Sequence, residues 1–357
     1  MLDTTRRRVL QGLGMGGTAA VAGCTAPSGE SPATETVREG QASQPQRDQV
    51  ERVAADPADV PDPVDYSSPR HHEVELTARE VTAEIEPGVT FDFMTFDGQI
   101  PGPMIRVRRG DTVSFTLESD EGNGMPHNVD FHAVYGTGGG AEATNVTPGE
   151  SNGVDFTATY PGAFIYHCAV PNMDYHISSG MFGMILVEPE DGLPEVDREF
   201  YLGQHELYTD RPVGEEGHHK FDMAAMADED PTYVLFNGAK YPFTPDRYGR
   251  MQAETGESVR VYLVVGGPNL SSNFHPIGNV WTSAHRDGAL GTPEEYVQTM
   301  KVPPGSCMTG TMDTPVPETV KLVDHALSRV ARKGLLAEVE VSGEPDEAVF
   351  DPDPGSE

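Results

Sequence analysis

Val113-Ser114-Phe115-Thr116-Leu117 alternates apolar and polar side chains, the period of a strand with one face in a core. Val259-Arg260-Val261-Tyr262-Leu263 repeats that period. Turn signals recur around these runs at Asp97-Gly98, Pro101-Gly102, Pro148-Gly149 and Pro161-Gly162. Outside a possible helical turn at 326–333 no long amphipathic pattern appears, so the chain is predicted to be all-β. An internal echo divides it. Phe96-Asp97-Gly98 and Gly110-Asp111-Thr112-Val113 return as Phe236-Asn237-Gly238 and Gly256-Glu257-Ser258-Val259. Pro148-Gly149 before Phe164-Ile165-Tyr166-His167 returns as Pro304-Gly305 before Lys321-Leu322-Val323-Asp324-His325. Two related β-sandwiches joined near residue 190 are expected.

The flanks read differently. Thr5-Arg6-Arg7-Arg8-Val9-Leu10 precedes a mildly apolar stretch and resembles a twin-arginine export signal. Val21-Ala22-Gly23-Cys24 resembles a lipoprotein cleavage box, with Cys24 as the lipidated residue. Residues 1–24 are therefore predicted to be a signal, and 25–69 a disordered acidic tether rich in Pro, Ser and Gln. Residues 346–357 form an acidic tail. No apolar run approaches the roughly 18 residues of a membrane-spanning helix. This grammar predicts export to the outer face of the cytoplasmic membrane, with attachment to its surface through a lipid anchor.

The chain has 357 residues and a net charge of −33, from 24 basic and 57 acidic side chains. Nucleic acid is excluded as a partner, because polyphosphate recognition needs clustered cations. Of the basic residues 19 are Arg and 5 are Lys. An acidic, Lys-poor surface is the balance expected where high salt screens self-repulsion, which predicts a halophilic source.

The chemistry concentrates in two stretches, His127-Asn128-Val129-Asp130-Phe131-His132 and His167-Cys168 with His176 and Met181 following. A thiolate, two imidazoles (His127 and His176) and a thioether form a soft donor set suited to blue copper, with Met181 preferred over Met173 as axial ligand. Thioether ligation argues against zinc. Successive strand side chains point to opposite faces. His127 and Cys168 therefore serve one face, while Asp130, His132 and His167 serve the other, where a second metal with an open position fits. Its third ligand comes from His275 or His325, and spacing alone leaves that choice open. Cys307, without a His at ligand spacing, reads as a buried free thiol. His71, His72, His218 and His219 read as surface residues, and His205 and His285 as structural ones.

Residues 72–343 resemble the copper-containing nitrite reductases. The resemblance runs from Thr95-Phe96-Asp97-Gly98-Gln99-Ile100-Pro101-Gly102-Pro103 through the histidine and cysteine stretches. It ends on Phe274-His275-Pro276-Ile277-Gly278 and Val323-Asp324-His325-Ala326. It implies two Greek-key cupredoxin domains, 70–190 and 191–345, in a homotrimer with two coppers per subunit. His127, Cys168, His176 and Met181 would hold type 1 copper. His132 and His167 would hold type 2 copper together with His325 from the neighbouring subunit. Asp130 and His275 would be the catalytic acid/base pair, and Ile277 would shape the substrate pocket. The implied reaction is one-electron reduction of nitrite to nitric oxide, with electrons from a small blue-copper or cytochrome donor crossing Cys168–His167. The chain contains no His-x-His pair, which argues against an oxygen-reducing trinuclear site. A simple electron carrier would leave His132, His167, His275 and His325 without a role.

Overall fold

Strand Thr112–Ser119 buries Val113, Phe115 and Leu117 and leaves Ser114 and Thr116 half-buried, as the alternation requires. The computed structural model describes residues 47–354, so the expected signal and Cys24 lie outside the described residues. The all-β expectation holds. Among the described residues strands dominate, and the three α-helices, Met173–Ser178, Met223–Ala227 and Ser328–Lys333, have at most six residues each. No described helix is long and apolar enough to cross a membrane.

Among the described residues the strands form four sheets. The first runs Gly217–His219, Val89–Phe96, His71–Glu86, Thr112–Ser119, Ser151–Thr157, with Asp48–Gln49 paired along His71–Glu86. The second runs Ile105–Arg108, Phe182–Glu188, Gly162–His167, Asp130–Phe131. In the second half, Arg198–Leu207 and Ser258–Gly267 lie central to one sheet, and Glu318–Asp324 and Ser272–Ile277 lie side by side in the other.

Three cores separate these layers. Phe96, Phe115, Phe131, Tyr166 and Ile185 fill the first sandwich. Val259, Val261, Leu263, Phe274 and Trp281 fill the last. Between them Ile165, Phe182, Met184 and Leu186 meet Tyr201, Leu235, Tyr262 and Val264. Strands Phe182–Glu188 and Ser258–Gly267 are thus covered on both faces, which is why Phe182-Gly183-Met184-Ile185-Leu186-Val187 reads as a nearly unbroken apolar run. An ion cluster seals the same seam. Arg106, its side chain 1% exposed, pairs with Glu188 and Glu199, and Glu199 also takes Arg260 and the Tyr262 hydroxyl. Burial alone would push Glu199 up, but Arg106, Tyr262 and Arg260 hold its carboxyl below the usual range.

The internal echo has a structural counterpart. Asp97 and Gly98 (φ 57° and 75°) and Asn237 and Gly238 (φ 47° and 75°) build the same left-handed turn in the two halves. Such positions favour Asn, Asp and Gly.

The tether expected at 25–69 is shorter than composition suggests. Residues 25–46 lie outside the described residues, but 47–69 form an ordered strap. Asp48 and Gln49 pair in parallel with Val81 and Thr82. Val53, Ala54 and Ala55 are buried, and Val53 and Ala55 exchange backbone hydrogen bonds with Ile100. Tyr66 donates to Asp111. A few long-range anchors thus order a segment whose own apolar content is low. His219 also departs from expectation: it is fully buried, bonded to Glu215 O at 2.7 Å, on a strand paired with Val89–Phe96.

Candidate metal centres

In the second sheet Asp130 lies directly opposite His167, and Phe131 opposite Tyr166. Opposed residues share a face, so Asp130 and His167 point one way while the Phe131 and Tyr166 rings, 5.6 Å apart, enter the core. Cys168, one residue beyond the strand, turns to the opposite face. Its N–H donates to Met181 O at 3.1 Å, carrying the pairing on and setting Met181 across from Cys168 in the same core. His127 is fixed by a two-way backbone pair with Val146 (3.0 and 2.9 Å). His176 arrives on the short helix Met173–Ser178.

The result is one fully buried cluster. Cys168 Sγ lies 3.5 Å from His176 Nδ1, 3.9 Å from His127 Nδ1 and 3.8 Å from Asn128 Oδ1. Asn128 also accepts from the Ala169 N–H at 2.7 Å, pinning the loop after Cys168. Burial pushes the Cys168 thiol up to about 11, so a cation entering here displaces a proton. Burial and the neighbouring His127 push His176 down to about 4, keeping that imidazole neutral and available as a ligand. One soft sulfur facing two Nδ1 lone pairs, with Met181 opposite, suits copper rather than a hard cation.

The second cluster is Asp130, His132 and His167, whose ligand atoms lie within 4.8 Å of one another. His167 Nδ1 donates to Cys168 O at 3.1 Å, which leaves the Nε2 lone pair facing His132 Nε2, also 3.1 Å away. Burial, reinforced by the adjacent His132, lowers the His167 pKa. Two imidazoles aimed at one point suit a bound cation. His167 is buried but His132 is exposed, so the cluster opens outward and leaves room for a small ligand. Gly305, between the last two sheets of the chain, approaches the His132 ring. Both clusters hang on one peptide unit, the His167–Cys168 link.

His275 and His325 form a separate pair. Their rings are 5.2 Å apart, His275 on strand Ser272–Ile277 and His325 just past the end of the neighbouring strand Glu318–Asp324. His275 Nδ1 donates to Gln298 O at 2.5 Å, leaving Nε2 free to exchange a proton. The His325 N–H donates to Asn273 O, and the buried Asp324 ties down Asn273 and Ala326 around it. His325 is exposed and, among the described residues of one chain, does not join His132 and His167. Ile277 is exposed on the same strand as His275. Cys307 is a buried free thiol and His205 a buried histidine bonded to Ser178 O, in keeping with expectation.

Sequence reasoning passed over three residues. Glu80 is buried beside His127, its Oε1 3.3 Å from Nε2. Although burial pushes Glu80 up, hydrogen bonds from His127 and Arg47 and the Arg47 charge hold its carboxyl down at about 2. Its signal was a carboxylate on the inward register of Leu76 and Ala78, where an apolar residue belongs. Arg47, its partner, lay in the stretch read as tether. Gly139 packs so closely that a Cβ there would collide with Asp130 Oδ1. The clustered glycines at 138–140 were its signal.

Known proteins are similar to this chain in sequence and fold. A family model described as multicopper oxidase matches residues 77–192. The copper-containing nitrite reductase of Neisseria meningitidis is 41% identical over 294 residues, covering 82% of this chain and 75% of its own. That of Cereibacter sphaeroides is 35% identical and covers 78% of each. The structure of copper nitrite reductase from Nitrosomonas europaea superposes with a TM-score of 0.70 at 34% identity, covering 77% of this chain and 95% of that one. With donor clusters in place and relatives this similar over this length, the chain belongs to the copper-containing nitrite reductase family.

Proposed function

We propose that this protein reduces nitrite to nitric oxide, taking one electron and two protons per nitrite and releasing water. The observation that carries this reading is the division of adjacent residues, Cys168 and His167, between two donor clusters. A soft centre of His127, Cys168, His176 and Met181 is type 1. A more open centre of His132 and His167, completed by His325 of a neighbouring subunit, is type 2. Copper bound there supplies a one-electron redox change and Lewis acidity toward a nitrite oxygen.

The chain does the rest. Asp130, beside the open centre, takes up a proton from solvent, donates it in a hydrogen bond to the substrate oxygen and passes it to the oxygen that leaves as water. His275, held through Nδ1 by Gln298, relays the second proton from Nε2. Ile277 presents an apolar wall that limits the pocket to a small anion. The separation of His325 from His132 and His167 within one chain supports a homotrimer with the site between subunits. A small blue-copper protein or cytochrome is the electron donor. The paired arginines and the Val21-Ala22-Gly23-Cys24 box support export and lipid anchoring at the outer face of the cytoplasmic membrane, and the charge balance supports a halophilic habitat.

Purified protein with a reduced dye should release nitric oxide only when nitrite is added, and should hold two coppers per chain with two distinct electron-spin signals. A single copper signal in fully reconstituted protein would leave only an electron carrier. Asp130→Asn should keep both coppers and lose turnover by roughly a hundredfold or more, the scale of one proton-transfer group; steady-state rates check it, and an unchanged rate removes Asp130 from the mechanism. Because protons are consumed, the wild-type rate should fall as pH rises.

A further inference from the structure

We infer that Glu80, clamped by Arg47 of the N-terminal strap, is a positioning residue for the Cys168 centre: its carboxylate takes the Nε2–H of His127 and leaves Nδ1 as the metal-binding atom. The inference rests on the soft copper centre proposed above.

Every neighbour of this carboxylate is a donor. Oε1 faces His127 Nε2 at 3.3 Å and accepts the N–H groups of Gly124 (3.0 Å) and Met125 (2.9 Å). Oε2 accepts from Arg47 Nε at 3.0 Å and Nη2 at 2.7 Å. The Glu80 and His127 side chains are both fully buried. A carboxylate so surrounded is acceptor-only, which forces the ring proton of His127 onto Nε2. Nδ1 is then left with a lone pair directed at Cys168 Sγ. The second imidazole is treated differently: His176 also aims Nδ1 at Sγ, but its buried Nε2 has no partner. One ligand thus carries a charged outer partner and the other none. A carboxylate behind an imidazole raises its basicity and favours the more highly charged metal.

The clamp reaches into the strap. Arg47 also pairs with Asp92, which in turn accepts from the Thr82 hydroxyl. Arg47 directly precedes the short strand Asp48–Gln49, and Val50 N donates to Thr82 O at 3.0 Å. Docking of residues 47–55 therefore sets where Glu80 stands, and Glu80 sets which nitrogen of His127 faces the metal.

The test uses copper-loaded full chains carrying Glu80→Gln, Arg47→Met or Arg47→Lys. Read out are the visible and electron-spin spectra and the reduction potential of the Cys168 centre. Glu80→Gln should lose about tenfold of the centre's preference for Cu(II) over Cu(I), an upward shift of about 59 mV for a one-electron couple. Arg47→Met should shift the potential the same way, and Arg47→Lys should return it toward wild type. The signal of the second centre should not move. A further measurement needs no variant: in the reduced, diamagnetic wild-type protein, ring-nitrogen magnetic resonance should find the His127 proton on Nε2. A proton on Nδ1, or an unchanged potential and spectrum in folded Glu80→Gln, overturns the inference. Wild-type protein lacking the thiolate–copper absorption would instead overturn the reading on which it rests, so the two failures are distinct.

Discussion

At Gly139, φ is +55° and an added side chain would strike Asp130 Oδ1 and the backbone of Phe131. The glycine turn is therefore the mould in which the Asp130 carboxylate is cast. Gly139→Ala should destabilise the fold by about 1–2 kcal/mol, since it combines a left-handed backbone with a steric conflict. It should also lower nitrite turnover at least tenfold by displacing Asp130. The absorption of the Cys168 centre, on the opposite face of the strand, should not change; parallel rate and spectral measurements on the purified variant decide this. The candidate ligand residues were legible because strand alternation sorts His127 and Cys168 from Asp130 and His167, and the structure sorts them the same way. Glu80 and Gly139 were not, because each acts through a neighbour far away in sequence or through a missing side chain. Sequence spacing holds no trace of either contact.

The strap at 47–69 carries a similar lesson for segments. Its composition is that of a flexible linker, yet Asp111, distant in sequence, gathers it to the first sandwich. Asp111 accepts from the Tyr66 hydroxyl, from the N–H groups of Arg70 (2.8 Å) and Arg108 (2.8 Å), and from His72 Nε2 (2.8 Å). Burial pushes this carboxyl up, but those donors outweigh it and hold its pKa below the ordinary value of 3.8. The sign follows from linkage: a depressed folded pKa contributes stability above the unfolded value and loses it as pH falls through the folded one. Asp111→Asn should therefore destabilise the protein by about 1–3 kcal/mol near neutral pH, with the difference from wild type shrinking below about pH 3.8. Urea titrations at neutral and at acid pH measure both ends. Strands and turns were readable because their cues are local, whereas the order of the strap was hidden because its anchors, Asp111, Ile100 and Glu80, all lie outside it.

In the proposed assembly the two proposed centres differ in what they need. The Cys168 centre draws all its donors from one chain and is fully buried there. The centre at His132 and His167 has two imidazoles in its own chain, while His325 stands exposed against His275 on another sheet. Association of subunits is then a condition for the second centre and not for the first. The charge of −33 per chain sets subunits against one another, and salt screens that repulsion over a distance of about 3 Å at 1 M but about 30 Å at 0.01 M. Lowering the salt should therefore dissociate the oligomer and release the second copper, while the visible absorption of the Cys168 centre survives until the chains unfold. Sedimentation together with copper content and electron-spin spectra along a salt series tests this order of events. Monomers that keep both coppers would show that His325 is not shared between subunits, and the third ligand would have to be sought within the chain.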